Sequence, residues 1–269
     1  MIPHSLVAGF ALAGLLGAGC ASYAVPGRAA DLSIFTGGGE LDPVRKTDER
    51  SVEDITIADI LKRQPMAAFP TALAVARIQA DGYQSESIQQ TAGSGAYTVV
   101  TSRQEGEEEA LEPLASLPLV LGVAPVHRLL VPERLDSDLA LRKISAQLHA
   151  DVLLVYTLDT TFESKNTFLP LTAITLGILH PQKFRLQTTV AALLVDTRTG
   201  YLYGSAEANV RRPSSGIWRS AEKVENERLS VEREALEKLV HNLQATWTGV
   251  VATYAKDSAT VQPASNRNE

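Results

Sequence analysis

A single cysteine, Cys20, excludes an intramolecular disulfide framework and any Cys-rich zinc module from this chain of 269 residues. Excess positive charge is also absent. The 31 acidic residues outnumber 25 Lys and Arg for a net charge of -6, so no basic stripe can neutralise phosphates and nucleic acid is excluded as the main partner. Catalytic signatures are missing too: no HExxH, GxSxG elbow, P-loop or Rossmann glycine pattern occurs. The histidines His4, His127, His149, His180 and His241 share no metal-ligand spacing, so no metal and no cofactor is expected. Gly93-Ser94-Gly95 only faintly suggests a phosphate loop, because a strand follows where a phosphate cradle needs a helix N-terminus. These absences favour binding or scaffolding over catalysis. What is there, 45% apolar and 21% charged residues, suits one globular domain with appendages.

The clearest signal lies at the N-terminus. Leu6 to Gly19 (LVAGFALAGLLGAG) is a run of fourteen apolar or small residues without charge. A spanning helix needs about 20, so the run has the size of a signal-peptide h-region. It ends in Leu16-Gly17-Ala18-Gly19-Cys20, which resembles the lipobox of bacterial lipoproteins. A narrow peptidase site admits only small side chains beside the cut, here between Gly19 and Cys20, and the thiol carries a diacylglyceryl group. The resemblance implies a third acyl chain, such as palmitate, on the freed amine. Three chains anchor firmly at about 0.8 kcal/mol per buried CH₂. Ala21 stands where such proteins carry Asp when retained at the inner membrane, which implies the periplasmic face of the outer membrane. A buried free thiol and an uncleaved anchor running to Val25 are the alternatives that the residues leave.

The expected organisation is a signal peptide over 1–19, lipidated Cys20 with a Gly-, Ser- and charge-rich tether over 20–54, one α/β domain over 55–254, and a disordered polar tail over 255–269. Ile57, Ile60 and Leu61 have helical spacing before Pro65, and Ala72–Ala80 (ALAVARIQA) reads as a strand. Tyr83–Gly95 reads as a loop or irregular excursion and Ala96–Arg103 as a short strand. Glu105, Glu107, Glu108 and Glu109 open a helix as a solvated acidic face. A strand region is expected over Pro118–Glu133, and a helix over Ser137–Ala150 capped by Ser137, with Leu141, Ile144 and Leu148 on one face. His149 closes that helix in a structural role. Asp151–Phe162 is apolar on both faces and reads as a central strand. Phe184–Asp196 and Tyr201–Val210 form a hairpin around Asp196–Gly200. Finally, Trp218–Tyr254 is one long helix with a heptad-like stripe through Leu229, Leu236, Val240, Leu243, Trp247, Val250 and Tyr254. The stripe suits packing across the chain's own sheet, with a coiled-coil partner surface as the alternative.

A helix ending in Ala-Asp before an apolar strand (LHADVLLVYTL), then a loop, a VDTRTGYLYGSAEA hairpin and a long terminal helix, resembles the curli-secretion lipoprotein superfamily, which includes penicillin-binding-protein activator and flagellar outer-membrane lipoproteins. The resemblance covers roughly Leu139 to Val251. It implies an α/β fold, a small mixed sheet with helices packed on it and a long C-terminal helix, held at a membrane by lipid. Spanning hairpins of pore-forming members need two alternating runs of about ten residues, and the insertion here is too short for them.

That insertion, Thr167 to Pro181 (TFLPLTAITLGILHP), carries no Asp, Glu, Lys or Arg, unusual for a segment in water. Phe168, Leu169, Leu171, Ile174, Leu176, Ile178 and Leu179 are therefore a candidate protein or membrane contact. The alternative is that they complete the core as a short helix. The expected function is a non-enzymatic adaptor or assembly component for another envelope protein, or a homo-oligomer; the alternative is a subunit of an oligomeric export channel. Replacing Cys20 by Ser tests the anchor: wild type should carry acyl mass and pellet with membranes, and the variant should do neither.

Overall fold

The computed structural model describes residues 25–36, 57–88, 90–104, 106–164, 184–213 and 221–258. It is a mixed α/β structure. In chain order the elements are α1 (Ser33–Thr36), α2 (57–62), β1 (Thr71–Gln79), β2 (Thr91–Ala92), β3 (Ser94–Gly95), β4 (Thr98–Val100), α3 (Glu107–Leu111), β5 (Val120–Pro125), β6 (Arg134–Leu135), α4 (Asp138–Gln147), β7 (Val152–Ser164), β8 (Phe184–Asp196), β9 (Leu202–Pro213) and α5 (Ala221–Ser258). A seven-stranded sheet runs β2-β4-β1-β7-β8-β9, with β5 beside the N-terminal half of β1. β1 lies parallel to β5 and β7; the other pairings in this sheet are antiparallel. β3 and β6 form a separate two-stranded ribbon.

The central strands are apolar on both faces because helices cover both. Leu73 and Val75 of β1, Val152, Leu154 and Leu158 of β7, and Val190 and Leu194 of β8 join one core with α3 and α5. Alternate residues Ala74, Ala76 and Ile78, Leu153 and Val155, and Leu193 and Val195 join the opposite core with Leu141 and Ile144 of α4 and with Phe35. This period of two is what the pleat demands of a strand buried on both sides. β7 is central, between β1 and β8, as its sequence predicts.

α5 settles its own alternatives. Leu236, Val240, Leu243, Trp247 and Val250 of the heptad-like stripe are buried against the sheet, so the stripe is used within the chain. Trp247 donates its indole N–H to the Pro118 carbonyl at 2.8 Å and packs against Phe69, ring centroids 5.9 Å apart. The 38 residues of α5 make a rod about 57 Å long.

Several expectations change. Within the irregular stretch Tyr83–Gly95 lie the two-residue strands β2 and β3. The region Pro118–Glu133 is strand only over Val120–Pro125 and then turns through a 3₁₀ segment, Arg128–Leu130. Ile57 and Leu61 of α2 are exposed. Ser137 occupies the N-cap of α4, but its hydroxyl makes no cap hydrogen bond; its carbonyl accepts the Tyr97 hydroxyl at 2.9 Å. α5 continues past Tyr254 to Ser258. Within the stretch read as a tether, residues 25–36 lie on the domain: Ala30 and Phe35 are buried, and Ala29 bridges Gln79.

The end of α4 shows why His149 is where it is. The Ala150 N–H bonds the Ser145 carbonyl at 2.9 Å and the His149 N–H bonds Ala146 at 3.1 Å, the paired bonds of a Schellman cap. That cap needs a left-handed residue, and His149 has φ 55. An L-residue there bears a steric cost of roughly 1–2 kcal/mol that glycine escapes. The exposed imidazole has no packing to lose. His149→Gly should therefore raise unfolding stability by about 1 kcal/mol in urea titration, and His149→Val should lower it.

Candidate functional site

Strand β1 alternates faces, so Arg77 points with Leu73 and Val75 beneath α3 and α5. Its side chain is 2% exposed, and burying a guanidinium without a partner would be prohibitive. The partner is Glu107, at 3.0 Å from Arg77 Nη1 and itself 5% exposed. Gln104 accepts from the same nitrogen at 3.1 Å and donates its backbone N–H to Glu107 at 2.9 Å. The Tyr156 hydroxyl donates to the other oxygen of Glu107. The acidic helix start is therefore split: Glu108 and Glu109 are exposed as expected, whereas Glu107 turns inward because Arg77 needs a counter-charge.

A second buried cluster comes from α5. Arg228 and Glu232, one helical turn apart, occupy the same buried stripe as Val224, Val231 and Ala235. Arg228 Nη1 donates to Glu232 at 2.6 Å, and its Nε to Glu225 at 3.0 Å. Its Nη2 reaches the hydroxyls of Ser85 at 3.0 Å and Ser87 at 2.9 Å. Glu232 also accepts the Thr160 hydroxyl at 2.7 Å, and Thr160 pairs with Thr188 at 3.0 Å. The Gln104 amide donates to Ser87 at 3.0 Å, which joins the two clusters into one network.

Between the clusters is a cavity of about 10 Å³, lined by Arg77, Gln104, Glu107, Leu158, Leu229, Glu232, Arg233 and Leu236. Arg77 Nε and Glu232 Oε2 are buried without a protein partner among the described residues. The space fits one water, for which that donor and that acceptor are the complementary pair. It admits no substrate-sized ligand.

Electrostatics follow the geometry. Burial alone would depress the Arg77 pKa, but Glu107, helped by Tyr83 and Glu232, reverses this and holds it above the usual arginine value. Burial, reinforced by the Glu107 carboxylate, pushes the Tyr156 hydroxyl well above its ordinary 10.0. Folding therefore favours neutral Tyr156. Its contribution is complete below pH 10.0 and is lost as pH rises above it, where the unfolded chain ionises first. The charges are already matched, so this arrangement clamps α3, α5 and residues 83–88 onto the sheet.

A second polar hub sits at the β8–β9 turn. Buried Asp196 accepts the backbone N–H of Arg198 at 2.8 Å and of Thr199 at 3.0 Å, fixing the turn. Its other oxygen takes Met66 N–H at 2.6 Å and the Tyr203 hydroxyl at 2.8 Å, which fastens the segment after α2 to the sheet.

Gly19, Cys20 and the apolar set Phe168, Leu169, Leu171, Ile174, Leu176, Ile178 and Leu179 lie outside the described residues. Among those described, no group of three or more His, Cys, Asp and Glu could hold a metal, and no helix is long and apolar enough to cross a membrane. His127, His149 and His241 are each exposed. Sequence reasoning missed Arg77, Glu107, Arg228 and Glu232. The signals were an arginine inside ALAVARIQA and an Arg–Glu pair in register with buried α5 valines.

No family model matches the chain, and no curated protein matches it. Solved structures do. The chain is similar to protein XCC0632 from Xanthomonas campestris, of family-model DUF330, at 15% identity over 75% of this chain and 95% of that one, with TM-score 0.29. It is similar to the hypothetical protein CT253 from Chlamydia trachomatis at 11% identity over 66% and 98%, with TM-score 0.34. Lipoprotein GNA1162 from Neisseria meningitidis matches at 14% identity over 60% and 94%, with TM-score 0.26.

Arg77→Ala strands Glu107 as a buried unpaired charge and should cost about 3–5 kcal/mol. Arg77→Met combined with Glu107→Leu should recover most of that loss. Urea midpoints with unchanged slopes would show both effects.

Proposed function

We propose that this protein is a lipoprotein anchored through Cys20 on the periplasmic face of the outer membrane. There it acts by binding, as an adaptor or assembly component for another envelope protein. The observation that carries the reading is the position of the only cysteine, at the end of an uncharged fourteen-residue run and directly after Leu16-Gly17-Ala18-Gly19. Exposed apolar residues support a binding role. On β5, paired to β1 along one side, Leu121 is 72% exposed, and Leu129 just beyond it is 97% exposed. An edge strand with protruding leucines suits recognition by strand addition. The uncharged segment Thr167–Pro181 is the second candidate contact, with protein or with membrane.

The test is the state of the chain from Ala21 onward and the effect of charge on its edge. Size exclusion with light scattering should give a monomer or a small oligomer; a large ring of defined stoichiometry would favour the export-channel reading instead. A photo-reactive residue at Leu121 should give one discrete envelope-protein adduct in cells. Leu121→Lys should abolish cellular function while leaving thermal unfolding within about 0.5 kcal/mol of wild type, as surface substitutions do.

A further inference from the structure

The N-terminal segment and the β7–β8–β9 strands run toward the same end of the domain. β7 and β8 stay paired from Val152↔Asp196 to Ser164↔Phe184. β1 stops sooner: Gln79 accepts the Thr157 hydroxyl at 3.2 Å, so the hairpin projects seven residues, roughly 23 Å, past that level. Residues 25–30 run beside this projection. Ala30 N–H donates to Thr157 at 3.0 Å, Ala29 bridges Gln79 antiparallel, and Gly27 N–H donates to the Gln84 carbonyl at 3.3 Å. The chain thus heads toward the hairpin tip as its numbers fall. Val25 rests there on the α5-side core, which includes Phe162 and Leu186.

Only four residues, 21–24, separate Val25 from Cys20. Fully extended, five residue steps span at most about 18 Å. A lipid on Cys20 cannot then hold the domain off the bilayer on a long leash, because residues 27–30 are hydrogen-bonded into the fold and Val25 packs on its core. The paired strand end Ser164↔Phe184 lies in the direction in which the chain runs from residue 30 back to 25. The Asp196 turn, at the other end of the hairpin, lies twelve residue steps or about 40 Å away. β5, which pairs with Thr71–Val75 at the start of β1, belongs to that far half.

We infer that the Ser164–Phe184 end of the sheet is the end that faces the lipid headgroups, while the Asp196 turn and the β5 edge point away toward the partner. The inference rests on the Cys20 anchor reading and adds an orientation to it. Lipidation consumes the only thiol, so a single added cysteine can be labelled uniquely. Gln84→Cys, near the tip end, and Arg198→Cys, at the far turn, are both exposed sites. Each lipidated full chain is labelled with a donor fluorophore and reconstituted in phosphatidylethanolamine–phosphatidylglycerol vesicles carrying a headgroup acceptor. Energy transfer should be several-fold stronger from position 84 than from position 198. A twenty-residue Gly/Ser insertion between Ala24 and Val25 should reduce that contrast. Equal transfer from both positions, in protein whose intact mass shows the acyl chains, would overturn the orientation and leave the anchor standing. Absence of acyl mass would overturn both.

Discussion

The buried guanidinium of Arg77 constrains everything around it. A cation on a central strand cannot leave water unless a carboxylate follows, and Glu107 follows it from α3. The short α3 helix therefore lies where the charge requires it. Tyr156 on the adjoining strand and Gln104 before the helix complete the carboxylate's bonds. Arg228 and Glu232 repeat the solution on α5, and Ser87 and Gln104 connect the two. Ion pairs of this kind add little net stability over well-packed apolar residues, yet breaking one is severe. Their effect here is one of specificity, because only one placement of α5 along the sheet puts Arg228 beside Ser85 and Glu232 beside Thr160.

That fixed placement gives the domain two distinct ends. At one, β7 and β8 run on past β1 beside residues 25–30; at the other, Asp196 gathers the turn, Met66 and Tyr203 into one joint. A rigid body with distinct ends can hold a partner at a set height above a surface. A loosely jointed one could not. The functional proposal draws on this mechanical property and requires no reactive group.

The layout was largely legible in the residues. The continuous apolar runs of Ala72–Ala80 and Asp151–Phe162, the turn residues Asp196–Gly200 and the heptad-like α5 stripe each follow from local composition and spacing. What escaped was long-range. Nothing near Glu107 distinguishes it from Glu108 and Glu109; only the arrival of Arg77, thirty residues earlier in the chain, selects one carboxylate of three. Likewise, Gly- and charge-rich composition reads as a tether, yet Phe35 finds Tyr97, ring centroids 6.0 Å apart, and Ala30 finds Thr157. His149 was readable as structural, but its left-handed cap was not, since glycine is the residue that normally marks one.

The central claim is that paired buried charges bind α3, α5 and residues 83–88 to the sheet as one cooperative unit. Native-state hydrogen exchange, resolved by segment, tests it most directly. The account predicts that amides of β1, β7, residues 104–111 and the 225–236 stretch of α5 exchange with one shared opening free energy, equal to that of global unfolding. Exchange of α3 or of the 225–236 stretch through a separate, lower-energy opening, with β1 and β7 still protected, would contradict it.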